Sequence, residues 1–174
     1  GDSNRTKAAG LIEVGQNLKI GMDRLTISIG GTPTGSTAWS LDPTNTDGAY
    51  SLFAPGGGGI APPSSSLAGA PNSDTWHYYK GEFPGMGGTG SDFFAVLNVS
   101  GDVCNEVNNK AGVASAVASA LLTNDVFAGA APAGVATNIA GIVNVPGQLS
   151  GKTVGCFGDL TSSKYYFYEV LYVQ

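Results

Sequence analysis

Leu11, Val14, Leu18, Met22 and Leu25 recur at steps of three and four along the chain. That spacing puts them on one face of an α-helix. Glu13, Gln16, Lys19 and Asp23 fall on the opposite side, and the pattern predicts an amphipathic helix over 3–27. Asp2 or Ser3 can cap its start. Gly10, Gly15 and Gly21 each weaken the helix by roughly 1 kcal/mol relative to alanine. It therefore needs tertiary packing to persist. The first seven residues carry no apolar stripe. They read as an exposed helical extension, or as the stump of a longer helix.

Downstream the period changes. Segments 75–83, 92–99 and 164–173 hold 11 of the 16 aromatic residues, as strand propensity favours. In the last of them Tyr165, Phe167, Leu171 and Val173 share one face, with Glu169 the odd member. Tyr166, Tyr168, Val170 and Tyr172 share the other, so this strand is expected to be covered on both sides. A shorter strand is expected at Ala49–Ala54. Ser100 to Lys110 reads as a short helix opened by Ser100 or Asp102, with Val103 and Val107 inward and Cys104 beside them. Ala111 to Thr123 could continue it after a break at Gly112. The order of elements predicts one α+β domain over 1–174, a long N-terminal helix packed on an antiparallel β-sheet. Residues 28–174 supply the sheet and long glycine-rich loops.

Composition sharpens this picture. The 27 glycines and nine prolines are about a fifth of the chain, against roughly an eighth on average. They have no collagen period and concentrate in Gly48–Ser73 and Val126–Gly151. The second stretch is free of charge and long enough for a membrane span. Its five glycines, Pro132, Pro146, Asn138, Asn144 and Gln148 argue instead for loop with short strands, because lipid offers such a backbone no hydrogen-bond partners. Charged residues are 12% of the chain, and eight basic side chains face thirteen acidic ones. A charged disordered tail is excluded. No basic stripe exists for nucleic acid.

Chemistry-bearing residues are sparse. Cys104 and Cys156 are the only cysteines. In a chain poor in charge and rich in small polar residues they suggest one disulfide in an oxidising compartment, two buried free thiols being the alternative. A bridge closing 52 residues is worth roughly 4 kcal/mol on the chain-entropy account. One histidine, His77, is too few for a zinc cluster. Thr161-Ser162-Ser163-Lys164 only faintly resembles a Ser-x-x-Lys motif. The run Gly56–Gly59 lacks the Lys-Ser/Thr of a phosphate loop and reads as a turn or a close backbone approach. Asp42, Asn45 and Asp47 ahead of Gly48 form a weak calcium candidate, without the downstream glutamate such loops use. Asn4-Arg5-Thr6 and Asn98-Val99-Ser100 match the glycosylation sequon. No catalytic pair of carboxylates stands out, and no cofactor is expected.

Several stretches carry a family resemblance. These are the abruptly starting amphipathic helix, Leu52-Phe53-Ala54-Pro55 with Gly56–Gly59 leading toward Trp76, and Phe93–Val99 running into Val103-Cys104-Asn105-Glu106-Val107-Asn108. The last are Gly155-Cys156 and the final strand Tyr165-Tyr166-Phe167-Tyr168. Together they resemble the exported head domain of a type IV pilin or pseudopilin. That group shares a C-x-x-(I/V)-N helix, a late Gly-Cys and an aromatic last strand. The processing site and its glutamate are not in this sequence, and 111–151 does not map onto pilin elements. The resemblance implies a mechanical role, not an enzyme. Such a subunit is held in the inner membrane by a hydrophobic segment ahead of Gly1, then assembles with other pilin subunits into an extracellular filament. The stripe Leu11, Val14, Leu18, Met22 and Leu25 would pack the helix against the head. A type II secretion pseudopilin is one alternative. Another is a secreted adhesin binding carbohydrate through exposed Trp39, Trp76 or tyrosines.

Overall fold

The first helix, α1 (Asp2–Ile29), runs 28 residues, about 42 Å at 1.5 Å per residue. It starts a residue earlier than the periodicity predicts, so Asp2 and Ser3 form its first turn. The carboxylate of Asp2 there suits the positive end of the helix dipole. The computed structural model describes residues 1–29, 39–48, 50–69, 75–88, 92–113, 122–123, 137–159 and 163–174. The remaining strands and helix are β1 (His77–Glu82), β2 (Asp92–Val99), α2 (Gly101–Ala111), β3 (Leu122–Thr123), β4 (Thr137–Ile142), β5 (Val154–Asp159) and β6 (Tyr165–Tyr172). They build an α+β fold.

The sheet order is β3-β5-β6-β2-β1-β4. Its four central strands, β5, β6, β2 and β1, run antiparallel to one another. The flanking strands β3 and β4 are parallel to β5 and β1, so the whole sheet is mixed rather than purely antiparallel. Alternate residues divide between two cores, as the two-residue strand period requires. One face carries Tyr78, Phe93, Ala95, Leu97, Phe167 and Leu171, and packs against α1 and α2. The other carries Tyr79, Phe94, Val96, Phe157, Tyr166, Tyr168 and Val170. β6 is thus central and covered on both sides, as its two apolar faces predict.

Three expectations change. Tyr172 does not join Tyr166 and Tyr168. Phe93 faces Tyr172 while Phe94 faces Val170, so Leu171 is the extra residue of a β-bulge. The bulge turns Tyr172 toward Trp39, with ring centroids 4.9 Å apart. Residues 50–54 are not a strand. They make one isolated bridge, Ser40 to Ser51, and then fold into turns whose amides bond back to Ser51 and Ala54. A Cβ at Gly57 would lie 2.0 Å from the Ser51 carbonyl oxygen, so the Gly56–Gly59 run is a close backbone approach. Finally α2 ends at Gly112, in the left-handed conformation with φ 71°, and Leu122–Thr123 is strand. Residues 30–38 and 114–121 lie outside the described residues, as do 70–73 and 126–136 of the glycine-rich stretches.

The glycines of α1 have a packing role that helix propensity alone hides. A Cβ at Gly10 would meet Leu67 at 2.7 Å, one at Gly15 would meet Glu169 at 3.0 Å, and one at Gly21 would meet Ile60 at 2.3 Å. Gly15 lets the helix sit down on the sheet. Gly10 and Gly21 seat side chains from 51–69.

Candidate functional site

The most heavily built feature is the junction of α2 with β5. Ser100 opens α2 by accepting a hydrogen bond from the Val103 amide at 3.2 Å. Gly112 closes it, its amide reaching the carbonyls of Asn108 and Asn109. Between these caps Cys104, Val107 and Asn108 are buried. Cys104 and Asn108 stand four residues apart, hence on one face. Both engage Cys156 on β5. The sulfurs of Cys104 and Cys156 form a disulfide with Cα atoms 5.4 Å apart. The Asn108 amide donates to the Cys156 carbonyl at 2.8 Å, and its oxygen accepts from the Cys156 amide at 2.9 Å. Asn108 therefore completes one residue of strand pairing from a helix. It satisfies two backbone groups whose burial without partners is unfavourable. The paired cysteines are those expected from the sequence. The role of Asn108 emerges only in three dimensions, although it is the last residue of the C-x-x-V-N stretch.

The α1 stripe is the second predicted feature. Leu11, Leu18, Met22 and Leu25 are fully buried against the sheet, joined by Ala8. Val14 is half-buried at the flank. It lines a groove of about 300 Å³ with Asn17, Leu18, Gly59, Ile60, Ala61 and Pro63. The first turns of α1 are anchored to α2 by Arg5, 3.8 Å from Glu106. On the outer face Ile20 is 48% and Ile27 80% exposed. Among the described residues no helix is long and apolar enough to cross a membrane.

Glu169, the odd member of its strand face, lies directly under Gly15. Only 4% of it is exposed, and its Oε2 has no hydrogen-bond partner among the described residues. Burial pushes its carboxyl up to about 7, against the opposing pull of Lys19. Tyr168, on the other sheet face, donates to the Lys152 carbonyl at 2.9 Å. Burial, with the neighbouring Glu169 charge second, pushes its phenol up.

The weaker candidates take structural positions. Asp42 Oδ1 accepts from both the amide and the hydroxyl of Thr44. Asn45 Oδ1 accepts from the Gly48 amide, and Asp47 is exposed. Two of the three proposed calcium ligands thus close their own turns. No cluster of three or more His, Cys, Asp or Glu side chains suited to a metal occurs among the described residues. His77 opens β1, half-buried, with its ring 6.4 Å from that of Tyr79. Ser163 and Lys164 belong to the β5–β6 hairpin, where the Asp159 amide bonds to the Lys164 carbonyl, while 161–162 lie outside the described residues. Asn98 is paired within the sheet opposite Tyr166, and Asn4 is in the first turns of α1. Trp39 and Trp76 are 1% and 2% exposed. Trp39 packs on Phe93 and Tyr172, and Trp76 on Phe167. The expectation that they offer an exposed carbohydrate platform is corrected, because the helix-side core encloses them both. Comparison with protein-family models, with curated proteins and with solved structures gives no match.

Proposed function

We propose that this chain is the head domain of a subunit of a type IV pilus-type filament. The subunit assembles with pilin subunits through the N-terminal helix and presents the head on the outside of the cell. The observation that carries the reading is the convergence of Cys104 and Asn108 on Cys156. It gives a physical reason for the C-x-x-V-N helix and the late Gly-Cys on which the resemblance stands. A long helix laid on an antiparallel core supports the same reading. A locally cross-linked head with few charges suits a part that bears load among its copies. Before assembly the subunit belongs to the inner membrane and periplasm, held by a segment ahead of Gly1.

Immunogold labelling of the source cells with antibody to this domain tests the reading. Gold along surface filaments, lost when the gene is deleted, is expected. Antigen found only in the medium, with filaments unaltered by the deletion, contradicts it. The gene itself offers a second check. The reading expects a processing site followed by about twenty apolar residues directly upstream of Asp2, and a plain cleaved signal peptide there contradicts it.

A further inference from the structure

The seam between α1 and β6 contains a carboxyl that its surroundings suit poorly when charged. Glu169 is enclosed beneath Gly15, whose missing side chain lets the helix backbone close over it. Across the strands its neighbours are Ala95 on β2 and Val154 on β5, neither of which offers a charge or a side-chain donor. From α1 the facing cation is Lys19, one turn beyond Gly15 and exposed. Lys19 lines a cleft of about 230 Å³ with Asp23, Thr153 and Val170–Val173, so a second acid lies at the same rim. On α2 the charged groups are Asp102 and Lys110, both exposed, and Glu106, which faces Arg5. None of the contacts at the seam gives Oε2 a hydrogen bond. An ionised carboxylate enclosed without partners is strongly disfavoured, whereas a protonated carboxyl loses far less on burial.

We propose that Glu169 makes the docking of α1 on the sheet proton-dependent, with the helix seated while the carboxyl is protonated and loosened around Gly15 once it ionises. With the helix seated Oε2 is buried and unpaired, and lifting the helix middle would open it to water. The carboxyl's upward displacement to about 7 sets the direction. A group whose folded value is raised gives stability that is full below its ordinary value near 4.5 and is lost as pH rises through the folded value. The seam is therefore tight at pH 5 and looser at pH 8. The device needs only α1 and β6, so it stands or falls separately from the filament reading.

Amide hydrogen exchange on the full chain tests it, with rates corrected for intrinsic exchange. Between pH 5 and pH 8 the protection of α1 around 11–19 should fall about tenfold to a hundredfold relative to α2. In Glu169→Gln that ratio should not change with pH. An unchanged ratio in the wild type, or the same fall in Glu169→Gln, overturns the proposal. A carbon-13 titration of the Glu169 carboxyl in the wild type needs no variant. A midpoint near 7 supports the proposal, and one below 5 overturns it.

Discussion

The two helices share one face of the sheet and are held to it by opposite means. α2 is 11 residues long, too short to persist alone. It is fixed at both ends by caps and in the middle by a disulfide and a two-bond amide clamp. α1 is 28 residues long and is held mainly by shape. Its leucines fill the core, and its glycines admit Leu67, Glu169 and Ile60. The difference teaches what each attachment can do. Covalent and amide links fix one register and resist loosening. Packing over glycine seats leaves a long element that can lift in part, above all where a poorly satisfied carboxyl lies beneath it.

The largest expected effect removes the stronger attachment. Replacing both Cys104 and Cys156 with serine should destabilise the protein by about 4 kcal/mol, measured by urea unfolding. The oxidised wild type should also gain two daltons on reduction, and a fall under 1 kcal/mol would erase the contrast between the helices. Asn108→Ala leaves the amide and carbonyl of Cys156 buried without partners. It should cost about 3 kcal/mol with the disulfide intact, and a change within 0.5 kcal/mol would show that the disulfide alone holds the junction. Gly21→Val tests the glycine seats. Overpacking against Ile60 and Leu52 should cost about 2 kcal/mol, and a thermal melt that does not fall would deny that α1 is seated by shape. The smallest effect is on the outer face. Ile27→Ser should change stability by less than about 0.5 kcal/mol, and a larger loss in the melt would mean that this face is packed within the chain.

Much of this was legible in the sequence. The stripe from Leu11 to Leu25 carries the helix period, and the aromatic segments carry the strands. Ser100 and Gly112 mark the ends of α2, and two cysteines leave one pairing. β5 was not legible, because Gly155 and Gly158 dilute the strand pattern and its place is set by Asn108, Cys156 and β6. β4, Thr137–Ile142, is a short strand in the stretch read as loop with short strands, but its bounds and its pairing with β1 were not legible, because its glycine and small residues carry little strand propensity. The seats at Gly10, Gly15 and Gly21 depend on partners far along the chain, so only their helix-weakening effect is visible locally. Glu169 stood out as an acid on an apolar face, but not as a group closed in by a glycine. The turn of Tyr172 follows from a bulge, which alternation cannot show.

Native-state hydrogen exchange at neutral pH tests the contrast between the helices most directly. The amides of α2 and β5 should exchange only with global unfolding, while those in the middle of α1 exchange through a smaller opening that leaves α2 closed. Equal opening free energies in the two helices, with the same denaturant dependence, would contradict the account.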